Sequence, residues 1–81
     1  MKRYEYNKII RTILGISVNE LAMRVGFAKA IISGYEKGIL YNEFGERRIE
    51  LKLNELLKIC KDELTISCIK DLISKRDSES E

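Results

Sequence analysis

Apolar residues recur along this chain at helical spacing, interrupted by glycines and short polar stretches. Tyr6, Ile10, Ile13 and Leu14 share one side of a segment that the spacing predicts as a helix over about 4–14, ended by Gly15. Ser17 then stands where a side-chain oxygen can accept from an orphan backbone N–H, and Glu20 completes a capping-box pattern. Ile16, just before the cap, can pack on Leu21 or Ala22. Leu21, Ala22 and Val25 face inward from this second helix, and Gly26 closes it. A third helix is expected from about Ala28, with Ile32 and Tyr35 one turn apart on its apolar side and Gly38 as its stop.

Ile49, Leu53, Leu56, Leu57, Cys60 and Leu64 predict a long helix over about 48–63. The alternation through Ile49-Glu50-Leu51-Lys52-Leu53 also fits a short strand, but the length of the pattern favours the helix. Thr65 or Ser67 can cap a last helix over about 68–75, striped by Ile66, Ile69, Leu72 and Ile73. The expectation is one all-α domain over residues 1–76, followed by a disordered acidic tail over 77–81. Its core should unite Leu21, Ala22, Val25, Ile32, Tyr35, Leu53, Leu56 and Leu57.

The stretch from Ser17 to Gly38 resembles the helix-turn-helix of the lambda-repressor-like (Cro/repressor, XRE-type) DNA-binding family. The resemblance is carried by Glu20-Leu21-Ala22, Val25-Gly26, Ile32, Tyr35-Glu36 and Gly38. It implies a compact bundle of about five helices, with the helix at about 28–37 lying in the major groove of double-stranded DNA. It also implies that Arg11, near the end of the first helix, pairs with Glu36 at the end of the third. The two would otherwise be independent surface charges. The family relation further implies a repressor of a phage or mobile element, acting as a homodimer. Here the last helix, with its apolar stripe, is expected both to finish the core and to offer Ile69, Leu72 and Ile73 as the dimer interface.

Composition narrows the function classes. The 81 residues make one small domain, whose limited core would gain from association with a second copy. No apolar run is long enough to span a membrane, and Met1-Lys2-Arg3 leads into polar residues rather than an apolar leader, so a cytoplasmic location is expected. The chain has no histidine and no activated nucleophile, which argues against an enzyme. Cys60 and Cys68 are too few to hold zinc, and no other metal or cofactor is expected. Both cysteines are read as reduced residues in or near the core. The net charge is only +2, but residues 1–38 carry seven Lys/Arg against three Glu, an excess of +4 in the half holding the motif.

The DNA-contacting set follows from these readings. Ser17 and Ala28 begin helices whose N–H groups can meet phosphate. Lys29 can donate to a guanine edge, whereas Lys37 is placed to meet phosphate. The resemblance aligns Val18, Ala28, Ala30 and Gly34 with DNA-facing positions, although Val18, Ala30 and Gly34 lack hydrogen-bonding side chains, and Ser33 joins Lys29 and Lys37 as a polar residue of the recognition face. Ile31 can touch a thymine methyl or a protein. The segment from Ile39 to Arg48 is longer than the family's usual loop, and its turn formers Asn42 and Gly45 fit either a hairpin-like excursion or a short extra turn of helix. It can reach phosphate through Arg47 and Arg48, meet a protein partner through Ile39, Leu40, Tyr41 and Phe44, or pack back on the core. A DNA-binding regulator is the first reading, and a protein-binding module on the same fold, such as an antirepressor or inhibitor, is the second.

Overall fold

The computed structural model describes residues 1–79, and every segment of regular structure in it is helical. Five helices follow in order: α1 (Arg3–Ile13), α2 (Val18–Val25), α3 (Lys29–Glu36), α4 (Glu43–Ile59) and α5 (Glu63–Glu79). The apolar side of each of the first four turns toward a common centre. There Ile10, Leu21, Ala22, Val25, Ile32, Tyr35, Ile49, Leu53 and Ile69 form a continuous cluster. Leu57 packs on that cluster half-buried, and Leu56 is buried. The radius of gyration is 11.8 Å, close to the roughly 12 Å of a close-packed domain this long.

Local chemistry sets the element ends. The Ser17 hydroxyl accepts from the Glu20 N–H at 3.0 Å, but the Glu20 carboxylate turns along the helix to Arg24 at 3.0 Å. The expected reciprocal cap is therefore half made. Gly26 ends α2 at φ 87°, a left-handed conformation that costs glycine little. Its N–H and that of Phe27 both reach back to the Ala22 carbonyl at 2.9 Å. The turn to α3 consists of Gly26, Phe27 and Ala28 alone.

Three boundaries depart from the sequence expectation. The helix expected from about 48 begins at Glu43, because the Asn42 side chain accepts from the Gly45 N–H at 2.9 Å and starts it early. Asn42 and Gly45, read as turn formers, are the cap and first turn of α4. The last helix begins at Glu63 rather than 68, since Asp62 accepts from both the N–H and the hydroxyl of Thr65, at 2.9 and 2.6 Å. Asp62 is thus the cap expected of Thr65 or Ser67. At the other end α5 continues to Glu79, so the tail expected from Asp77 is helical as far as the description goes. Glu79 accepts from the Tyr6 hydroxyl at 2.5 Å and from the Met1 ammonium at 3.2 Å. Residues 80–81 of that expected tail lie outside the described residues.

The core half of the expected role of the last stripe is seen directly. Ile69 has no exposed surface and belongs to the core, and Leu72 and Ile73 pack half-buried against it. The physical reason is that α5 lies along α1 and turns this stripe inward. No helix among the described residues is long and apolar enough to cross a membrane.

Candidate nucleic-acid interface

The candidate site is the outer side of α3, and it begins with what holds that helix in place. Ile32 is fully buried and Tyr35 nearly so. Arg11 grips Glu36 with two parallel hydrogen bonds, Nε to Oε2 at 2.6 Å and NH2 to Oε1 at 3.0 Å. Its remaining nitrogen, NH1, donates to the Ile16 carbonyl at 2.6 Å. The two side chains are only 11% and 7% exposed, so this is a largely desolvated pair with its hydrogen-bonding capacity well used. The expected pairing of Arg11 with Glu36 is present, and it joins α1 to the end of α3.

A second anchor was not foreseen. The Tyr35 hydroxyl donates to Glu46 and accepts from the Asn7 amide at 2.9 Å. The same amide donates to Glu50 at 2.8 Å, and its oxygen accepts from Arg76 at 2.8 Å. Arg3 closes the cluster on Glu50 at 2.7 and 3.0 Å. Burial pushes the Tyr35 hydroxyl well above the ordinary tyrosine range, and its hydrogen bond to the Glu46 carboxylate adds to this. For Glu50, burial opposes ionisation, yet hydrogen bonds from Arg3 and Asn7 and the nearby Arg76 charge outweigh it and hold the carboxyl below its usual range. The edge of the Tyr4 ring also meets Tyr35, with centroids 6.3 Å apart at 72°. A sequence signal for this cluster existed. Arg3 and Asn7 in α1, like Glu46 and Glu50 in α4, are polar pairs four residues apart, bordering the apolar stripe.

The outer side is plain by contrast. Lys29, Ala30, Ile31 and Lys37 are exposed, while Ser33 and Gly34 are half-covered. No side chain caps α3 at Ala28, so the first N–H groups of the helix face outward unpaired by a cap. The one carboxylate of α3, Glu36, is turned inward to Arg11, which leaves Lys29 in the helix and Lys37 at its C-cap as the outward charges. Gly34 has a packing role: a Cβ there would lie 2.6 Å from the Leu40 side chain. Leu40 folds over α3 at this point, and its N–H and that of Ile39 both donate to the Gly34 carbonyl, at 3.2 and 3.0 Å.

Other candidate residues lie off α3. Val18 is half-buried against the core and does not face outward like Ser17. The Ser17 hydroxyl is occupied by the cap of α2. Arg48 donates to the Val25 carbonyl at 2.5 Å and lies 4.6 Å from the centre of the Phe27 ring, so it fastens the α2–α3 turn. Arg47 remains outward, with a loose 3.9 Å contact to Glu43. The 39–48 segment divides: Leu40 packs back, residues 43–48 are helix, and Ile39, Tyr41 and Phe44 stay more than two-thirds exposed. Beside them a groove of about 200 Å³ runs between α3 and α4, lined by Phe27, Ile31, Leu40, Tyr41 and Ile49. Cys60 and Cys68 are unbonded thiols; Cys60 is half-buried, and Cys68 is exposed rather than near the core. No group of three metal-ligating side chains is found among the described residues. Comparison of the chain with protein-family models, with curated proteins and with solved structures gives no match in any of the three.

Proposed function

We propose that this protein is a sequence-specific DNA-binding regulator that lays α3 in the major groove, with α2 and α3 acting as a helix-turn-helix. The observation that carries the reading is the division of α3 into two sides. Its inner side is fixed by Ile32, Tyr35 and the Arg11–Glu36 pair, and its outer side presents an uncapped N-terminus and two lysines with no outward carboxylate. Such a surface suits a polyanion. Lys29 reaches a base edge and Lys37 a phosphate. The resemblance of residues 17–38 to the lambda-repressor-like family points the same way and suggests a cytoplasmic repressor of a phage or mobile element. Reading two half-sites calls for a homodimer, with its contact outside the buried Ile69. The test is a binding titration with DNA from upstream of the protein's own gene, at several salt concentrations. Affinity that falls steeply with salt and exceeds that for random DNA supports the reading; no binding at low salt overturns it.

One observation favours a second reading. Ile31, Ile39, Leu40, Tyr41 and Phe44 expose apolar surface around the α3–α4 groove, between 43% and 77% each. A protein-binding module of antirepressor or inhibitor type would use that surface. In that case Ile31→Asp abolishes partner capture, while the lysine substitutions leave it unchanged.

A further inference from the structure

Arg76 lies near the end of α5, forty residues beyond the end of α3, yet it is only 3% exposed. Its NH1 donates to the Asn7 side-chain oxygen at 2.8 Å, and its Nε lies 3.8 Å from Glu50. Asn7 is itself 2% exposed, and its NH2 group faces Tyr35 and Glu50. An amide has one acceptor end and one donor end. If the Asn7 amide turned over, its NH2 would oppose the Arg76 guanidinium, donor against donor, and its oxygen would oppose the Glu50 carboxylate. Arg76 on the oxygen end and Glu50 on the donor end therefore together select the amide orientation that gives the Tyr35 hydroxyl a donor. Tyr35 then donates to Glu46 from the last turn of α3, next to the Arg11–Glu36 pair.

We propose that Arg76 is a positioning residue for α3, acting through Asn7 and Tyr35, so that the end of α5 sets the pose of the outer face of that helix. Only the consequence for DNA rests on the regulator reading. The relay from α5 to α3 does not. The apolar cluster of Ile10, Ile32, Leu53 and Ile69 is continuous without these polar groups, so the relay orients a helix that the core already holds.

The test uses the full chain with Arg76→Met, Tyr35→Phe and the double variant, read by amide hydrogen exchange and by DNA titration. Arg76→Met is expected to speed exchange of the amides of Ser33 to Lys37 about tenfold relative to those of Ala22 to Gly26. Tyr35→Phe, which keeps the ring, should do the same, and the double variant should be no worse than either single one, because all three cut the same relay. An equal rise in every helix, or additive effects in the double variant, would overturn the proposal. Should Arg76→Met not fold, Tyr35→Phe decides alone: selective loosening of α3 supports the relay, and an unchanged exchange pattern overturns it. DNA affinity falling in step with α3 exchange extends the relay to function. Selective loosening in a protein that binds no DNA sustains the relay and removes the regulator reading.

Discussion

The two sides of α3 differ in what they ask of the sequence. The inner side is over-determined: Ile32 sits in the core, Tyr35 is hydrogen-bonded on both sides of its hydroxyl, and Glu36 meets a guanidinium through two bonds. The outer side carries a lysine, an alanine, an isoleucine and a second lysine, exposed to solvent. Specific contacts are thus concentrated where they fix the pose of the helix, and the opposite face is left exposed. A helix held this firmly can present a surface without having to order it at the moment of binding.

The neighbours Ile31 and Ile32 give the sharpest break in this comparison. Ile32→Ala should cost about 2–5 kcal/mol, since it removes buried methylenes and leaves a cavity. Ile31→Ala, on the exposed side, should stay within about 0.5 kcal/mol. Urea unfolding of the two variants measures both, and similar losses would dissolve the distinction between the sides.

A smaller effect is expected at the ion pair. Arg11→Ala should destabilise by about 1–3 kcal/mol, because Glu36 would keep its burial and lose its partner. Replacing both residues, Arg11→Met with Glu36→Leu, should recover much of that loss. Equal urea midpoints for Arg11→Ala and wild type would refute a structural role for the pair. Arg48→Ala should lower stability and leave the salt dependence of DNA binding unchanged, given its bond to the Val25 carbonyl. A reduced salt slope would restore it to the phosphate contacts.

The inner side should also respond to acid. Glu50 has its folded pKa lowered from the ordinary 4.5, so it favours the folded state above that value. This contribution is lost as pH falls through the lower folded pKa. Thermal unfolding below about pH 5 should show a loss of stability that Glu50→Gln diminishes. An identical acid profile for the variant would mean that the cluster does not hold Glu50 ionised.

The inner side was legible where its residues are apolar or follow a spaced motif. Leu21, Ala22, Val25, Ile32 and Tyr35 declared themselves by helical period, and the Arg11–Glu36 pair by the resemblance. For the polar cluster only the spaced pairs Arg3/Asn7 and Glu46/Glu50 were a signal; their meeting with each other and with Arg76 was not legible, because they come from three helices that meet only once the chain is folded. Helix starts were misplaced where one residue type serves two purposes. Asn42 beside Gly45 reads as a turn, yet the same side-chain oxygen caps α4. Ile69 could not be assigned to core or interface from its stripe alone, since an apolar stripe does not name what covers it. The outer face was legible in its residues but not in their use, and Gly34, which resembled a silent reading position, makes room for Leu40.

The most direct test of the account is a salt titration of DNA binding by wild type, Lys29→Ala and Lys37→Ala, using the upstream DNA and a random duplex of equal length. Both variants should unfold in urea as wild type does. Lys29→Ala should cost about 1–3 kcal/mol on the specific DNA and relax preference at one base pair. Lys37→Ala should weaken both DNAs alike and reduce the salt slope by about one. Unchanged affinity and slope in both variants would contradict the claim that the outer face of α3 reads DNA.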